Sequence, residues 1–402
     1  MTATTSPGPA GSTVERPTSV DEAVKVLRDS RGSVLFRGAG TKMSWAGRPA
    51  DPDLVLETGG LDRLLDHNPA DMTASAQAGM PLRALQDRLA EAGQWLALDP
   101  PTEPDGATLG GLLATGESGP RRLRYGALRD LVIGVTLVLS DGTLARAGGH
   151  VIKNVAGYDL TKLMYGSLGT LGLIAEVVLR LHPRPETSAT VVVPSSVEEA
   201  SARSLDLLAS PLEPSAVDWV GDPRDGGASG RLAVRFEGTA PGVAAQTAAL
   251  RERLDGSTPE VLANTDEAAL WREYAGAHRA EPGQSTAFAG TLPSRLTAVA
   301  TALADAADAT GVDVSLASHS ALGLHTARFS GPPAQQEEAF DRWRREVLAR
   351  GGTVLLRDRP AEMDAAVDAL GPAPTAVGLL RALKARLDPD GRCAPGRLAS
   401  WL

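Results

Sequence analysis

The chain has 402 residues, 43% of them apolar but only 4% aromatic, with a formal net charge of −9 and one cysteine, Cys393. This length suggests two or three domains with cores built mainly of Leu, Val and Ala. The charge pattern has no nucleic-acid footprint, and a lone cysteine excludes an intrachain disulfide and any cysteine-ligated iron–sulfur cluster or Cys₄ zinc site held by this chain alone.

Residues 1–13, rich in Thr, Ser, Pro and Gly, read as a flexible tail without the basic and apolar regions of a signal peptide. The longest apolar stretches, within Leu131 to Leu139, fall far short of the roughly 20 residues a membrane helix needs. A cytoplasmic protein is expected, held at a membrane at most peripherally through partners. Ser19 to Glu22 forms a capping box, and Val20, Ala23, Val24 and Leu27 recur at helical spacing until Gly32.

An apolar run, Val34-Leu-Phe36, then stops at Arg37-Gly38-Ala39-Gly40-Thr41-Lys42. Side chains this small let backbone amides approach a ligand closely, and the flanking cations and hydroxyl suit a phosphate or pyrophosphate. A Rossmann loop would need a third glycine where Met43 stands, and no Gly-Lys-Ser/Thr follows at Walker spacing. An ordinary surface turn is the bland alternative. Just beyond, Trp45 reads as packing in preference to a ligand contact.

Short strands at Leu54–Leu56 and Thr73–Ala78 precede a helix from Pro81 to about Ala92, with Leu82, Leu85 and Leu89 on its buried face and Gly93 as its stop. Next, Pro100-Pro101 leads through Thr108, Gly110 and Gly111 to Thr115, Ser118 and Gly119, a rigid entry into a glycine-rich turn and a helix start. Arg121, Arg122 and Arg124 run into Tyr125-Gly126, either a solvated loop or a ligand-facing turn. Alternation over Leu131–Leu139, a turn at Asp141-Gly142 and a return strand to Arg146 predict a hairpin. Lys153-Asn154-Val-Ala-Gly-Tyr158-Asp159 precedes a short helix to Tyr165, and Gly166 to Gly172 is a tight turn before an alternating strand, Leu173–Leu181.

Taken in order, Arg-Gly-Ala-Gly-Thr, Pro-Pro, Ala-Thr-Leu-Gly-Gly, Arg-Tyr-Gly, Ser-Asp-Gly-Thr, Lys-Asn-Val-Ala-Gly-Tyr-Asp-Leu and Gly-Ser-Leu-Gly-Thr-Leu-Gly resemble the vanillyl-alcohol oxidase and p-cresol methylhydroxylase (PCMH) flavoprotein family. Within it they are most similar to the glycolate oxidase and D-2-hydroxyacid dehydrogenase branch, and there to the FAD-binding subunits of bacterial glycolate oxidase. The resemblance covers Val14 to Pro185 and resumes near the C-terminus. It implies an α+β chain with a two-subdomain PCMH-type FAD-binding domain at 14–185, a smaller α+β cap at 186–371, and a segment, 372–402, returning to the FAD domain. It also implies that residues 37–42 hold the pyrophosphate, and that Pro101, Thr108, Gly110, Gly111, Thr115, Ser118, Gly119, Tyr125 and Gly126 line the dinucleotide. Gly172 and Ile174 would bond the adenine or ribose end, and Arg397 would approach the flavin. Lys153, Asn154 and Tyr158 would lie near the ring; for Tyr158 and Asp159 a core tyrosine and a helix cap are equal alternatives. The loop has no His for covalent attachment, so noncovalent FAD is expected.

The region 186–371 reads as alternating short strands and helices. Hydroxyacid dehydrogenases of the family carry a His-Gly-Asp-Gly-Asn-Leu-His-type metal cluster in their cap; here the nearest match is His319-Ser-Ala-Leu-Gly-Leu-His325. Its acidic residues are missing, so no metal site is expected. His325, Arg328 and Lys153 are the catalytic candidates. The Arg328 fork suits a substrate carboxylate, with a surface ion pair as the alternative; Trp271, Arg272 and Tyr274 stand behind them. Cys393 reads as packing. The resemblance implies hydride transfer from a small 2-hydroxy acid to flavin, with a related flavin subunit and an iron–sulfur subunit as partners. A noncatalytic FAD-binding accessory subunit and a stand-alone dehydrogenase are the alternatives.

Overall fold

The computed structural model describes residues 11–150, 160–225, 230–254, 256–364 and 367–402. The first helix, Val20–Asp29, is capped as its sequence predicts: Ser19 Oγ accepts from the Glu22 amide at 3.2 Å, while Glu22 reaches back to the Thr18 amide at 2.7 Å. Its buried Ala23 and Leu27 pack on a three-stranded parallel sheet ordered Thr13–Glu15, Leu54–Glu57, Val34–Arg37.

A second sheet of five antiparallel strands runs Leu64–Asn68, Thr73–Gln77, Leu173–Arg180, Val132–Val138, Leu144–Gly148. Helix Leu82–Ala90 covers it with Leu82, Leu85 and Leu89, all fully buried. The even alternation expected over 131–139 and 173–181 is interrupted. Leu131 ends a helical turn, and the register shifts where Thr136 faces Glu176 but Leu137 faces Ile174. Ala175 is the extra residue, so Leu173 and Ala175 pack with Val34 and Leu56 while Val177 and Leu179 pack with Leu82 and Leu85. One bulged strand thereby feeds both cores of the FAD-binding half.

The cap is an eight-stranded antiparallel sheet, in the order Glu260–Leu262, Thr187–Pro194, Arg231–Gly238, Ala216–Gly221, Asp313–His319, Leu324–Ser330, Ser285–Gly290, Thr353–Leu356. Helices Val197–Leu208, Ala240–Arg253, Leu296–Thr310 and Pro333–Ala349 bury one face around Trp219, Phe236, Phe329 and Trp343. The other face carries Ala216, Ala233, Arg235 and Thr326, and helix Asn264–Ala277 lies across part of it through Leu270, Trp271 and Tyr274. This second face meets the FAD-binding half.

The chain then returns. After helix Val377–Leu387, the Ala394 amide donates to Val34 O and the Val34 amide to Arg392 O, both at 2.8 Å, which extends the first sheet by one bridge. Cys393 is fully buried there, its thiol pushed up to about 12 by burial.

Candidate active site

The strand Val34–Arg37 delivers the glycine loop to the mouth of a cavity of about 680 Å³. Twelve residues that the sequence singles out line it together: Gly38, Ala39, Gly40, Thr41, Lys42, Thr108, Gly110, Gly111, Thr115, Gly172, Ile174 and Arg397. They come from four separate parts of the chain. The lack of a side chain at Gly38 is required, since a Cβ there would sit 2.4 Å from Thr108 Oγ1. That hydroxyl in turn accepts from the Gly111 amide at 3.2 Å and caps the helix Leu109–Thr115. Gly110 packs as closely, with its Cβ position 3.1 Å from Ala78. The amides of 39–42 donate to no acceptor among the described residues and are available to a phosphate.

Arg397 explains the loop's orientation. Its Nη1 donates to Met43 O at 2.7 Å and Trp45 O at 2.9 Å, and its Nη2 to Lys42 O at 3.1 Å. Three carbonyls are thus turned toward the returning C-terminal segment. Lys42 is 5% exposed, with Nζ 3.0 Å from Glu117 Oε2; Thr102 Oγ1 donates to the same carboxylate. Burial lowers the ammonium pKa, and Glu117 opposes that shift.

The remaining predicted cofactor residues stand elsewhere. Arg37 pairs with Glu57 at 2.6 Å. Ser118 Oγ accepts from Arg122 at 3.4 Å. Gly119 packs on Asp99, whose carbonyl would lie 1.9 Å from a Cβ, so its closeness is to the protein's own backbone. Tyr125 is wedged edge-on against Trp95 and His182, and Gly126, at φ +84°, ends a helical turn. Pro101 lines a second cavity of about 620 Å³ between the two halves of the molecule. Lys153, Asn154, Tyr158 and Asp159 lie outside the described residues.

The second cavity is walled by Asp99, Arg121 and the proline-rich loop on one side, and by Asp218, Arg235, Trp271, Arg272, Tyr274 and His278 of the cap on the other. Arg121 bridges the two halves, 2.8 Å from Glu237 and 3.4 Å from Asp99, and stacks over Trp95 at 4.6 Å. Burial pushes Asp99 up to about 6 against the pull of Arg121 and Arg235. Arg235 pairs with Glu267 at 3.2 Å and lies 4.0 Å over Trp271.

The cap histidines separate. In the ladder between Asp313–His319 and Leu324–Ser330, Ser318 faces His325 and His319 faces Leu324, so the two histidines project from opposite faces. His325 is buried on the helix-covered face, 2.9 Å from both Thr291 Oγ1 and Ser318 Oγ, and burial lowers its pKa to about 3. It is placed away from both cavities. Arg328 donates to Ser315 Oγ at 3.2 Å and lines neither cavity. The family's metal motif therefore does not assemble from His319 and His325.

One residue with no sequence signal stands out. The Arg357 guanidinium lies between the rings of Trp45, at 4.0 Å, and Phe288, at 3.9 Å. It is 8% exposed and makes no hydrogen bond or ion pair among the described residues, its Nε being buried without a partner. Burial lowers its pKa to about 10, leaving it a cation at neutral pH. It lines neither cavity itself, but its charge acts on Lys42 at the first and on His278 at the second. Trp45 is thus a stacking partner for a buried cation.

A glycine-lined cleft whose loop amides meet no acceptor among the described residues, with a buried lysine beside them, suits a phosphate-bearing ligand. Comparison with known proteins supplies the family: residues 12–158 match one described as an FAD binding domain. Glycolate oxidase subunit GlcE of Escherichia coli is 34% identical over 191 residues, 48% of this chain and 54% of that protein. Glycolate oxidase subunit GlcD of Bacillus subtilis is 32% identical over 211 residues, 52% and 45%. The chain thus matches about half the length of these curated relatives. A solved structure of alkyldihydroxyacetonephosphate synthase superposes with a TM-score of 0.72 over 95% of this chain and 76% of that one, at 18% identity, which shows the fold. The chain carries an FAD-binding domain of this family within a PCMH-type α+β fold, and its cofactor is FAD.

Proposed function

We propose that this chain is the FAD-binding subunit of a glycolate oxidase–like complex and oxidises glycolate, or a related D-2-hydroxy acid, to the 2-oxo acid. The observation that carries the reading is Arg357, a desolvated cation in no close ion pair among the described residues, held between Trp45 and Phe288 of the cap. A buried cation of this kind calls for an anion, and a guanidinium fork suits a carboxylate. FAD, held noncovalently, supplies the hydride acceptor. The loop amides, Thr41 and Lys42 hold its pyrophosphate, and Arg397 keeps the loop carbonyls turned away. The contact of Arg121 with Glu237 of the cap closes the cap over the cleft and limits water. A single cysteine provides no iron–sulfur ligand set, so electrons leave through partners: a related flavin subunit and an iron–sulfur subunit. No helix among the described residues is long and apolar enough to cross a membrane, and membrane contact is assigned to those partners.

The absence of the acidic cap motif favours a second reading, an FAD-binding accessory subunit that passes electrons without oxidising substrate. Anaerobic spectroscopy of the FAD-loaded chain separates the two. Bleaching of the flavin band by glycolate or D-lactate is the expected result. Flavin that stays oxidised with either acid gives the accessory role, and failure of the folded chain to take up FAD overturns both. In the active case, Arg357→Gln raises KM for the acid roughly 30-fold or more, with a smaller change in kcat, since it removes a buried charge partner of the carboxylate. An unchanged KM eliminates Arg357 as the anchor.

A further inference from the structure

On the cap face turned toward the FAD half, Asp218 from strand Ala216–Gly221, His319 from the end of strand Asp313–His319 and His278 just after helix Asn264–Ala277 converge. All three are buried, and one ligating atom from each lies within 4.8 Å of the others. His319 Nδ1 is 2.9 Å from both Asp218 carboxylate oxygens, and His278 Nε2 is 4.0 Å from Asp218 Oδ2. The two imidazoles stack with centroids 4.5 Å apart.

His278 is the anomaly. Its Nδ1 is engaged by Thr326 Oγ1 at 2.8 Å, yet its Nε2 is buried with no hydrogen-bond partner and points toward the Asp218 carboxylate. A buried ring nitrogen left unpaired is destabilising and calls for a partner. Burial, with the nearby charges of His319 and Arg357, holds the ring well below the usual imidazole range, and Nε2 offers a lone pair in the tautomer whose Nδ1–H donates to Thr326 Oγ1.

We propose that Asp218, His278 and His319 form a site for a divalent transition-metal cation of the zinc class. Two imidazoles and a carboxylate are a ligand set that zinc accepts, with a fourth position left open toward the second cavity, which Asp218 and His278 line. Tetrahedral zinc ligands stand roughly 3.4 Å apart, given metal–ligand bonds near 2.1 Å. The 2.9 Å and 4.0 Å separations bracket that value, and the two stacked rings must turn out of their near-parallel arrangement for both nitrogens to face one ion. The Thr326 hydroxyl supplies the outer contact that orients a metal-bound imidazole.

This site is distinct from the His319–His325 pair that the sequence brings to notice, because His325 is on the other face of the sheet. It also stands whether or not the chain turns over a hydroxy acid. The test is zinc binding by the untagged, FAD-loaded chain after chelator treatment, read by isothermal titration calorimetry and by metal content after dialysis. The expected result is about one zinc per chain. His278→Gln and Asp218→Asn each weaken binding by about 100-fold or more, while His325→Gln leaves it unchanged. If Asp218→Asn fails to fold, His278→Gln alone decides. No zinc on the native chain, or equal affinity in His278→Gln, overturns the proposal.

Discussion

Lys42 and Glu117 form a pair whose side chains are 5% and 2% exposed. Taking away the carboxylate strands a desolvated ammonium, at a cost of about 3–5 kcal/mol. A bound pyrophosphate would supply a replacement anion to the same Nζ. Glu117→Gln is therefore expected to lower the melting temperature of the FAD-free protein by about 5–10 °C and of the FAD-loaded protein by clearly less. Differential scanning calorimetry of the two forms checks this, and equal losses would show that Lys42 does not face the cofactor. This scale also shows what a sequence conveys. Gly38 to Lys42 were legible because the chemistry sits in consecutive residues. Arg357 was not, since its setting comes from Trp45 and Phe288, neither of which adjoins it in the chain. The Asp218–His278–His319 cluster was hidden likewise, Asp218 and His319 being 101 residues apart.

At the level of elements, two-residue periodicity located the long strands but not their faces. The extra residue at Ala175 shifts the later half of its strand onto the other core, and nothing in Leu-Ile-Ala-Glu-Val-Val announces it. The same period separates His319 from His325, six residues apart yet on adjacent strands with a turn between them. The resemblance implies only that 372–402 returns to the N-terminal part of the chain; what that segment does there required the bridge from Cys393 to Val34 and the hydrogen bonds of Arg397. Arg397→Ala frees three loop carbonyls and is expected to weaken FAD binding by roughly 10-fold or more, with Arg397→Lys intermediate. Equilibrium dialysis against FAD measures it, and unchanged affinity would mean the loop holds its shape unaided.

For the whole molecule, stability in mild acid is set in part by His325. Its folded pKa is about 3 and its ordinary unfolded value about 6.5. The unfolded chain takes up a proton that the buried ring refuses, so the stability present above pH 6.5 is lost as pH falls toward 3. Between pH 6.5 and pH 5 the loss is about 2 kcal/mol. Asp99, raised to about 6, acts in the opposite sense, gaining stability as it protonates. The difference between wild type and His325→Gln isolates the histidine: urea unfolding at the two pH values should give a smaller acid loss in the variant. Equal losses would place the acid sensitivity elsewhere.

The clasp between Arg397 and the glycine loop joins residues separated by 354 positions at Met43. A ribosome needs roughly 20–70 s to cover that distance. During that time the nascent FAD half has its strands and helices but an unfastened phosphate loop. Loading with flavin is thus a late event in the life of each molecule, and chains interrupted just short of Arg397 would accumulate as colourless protein.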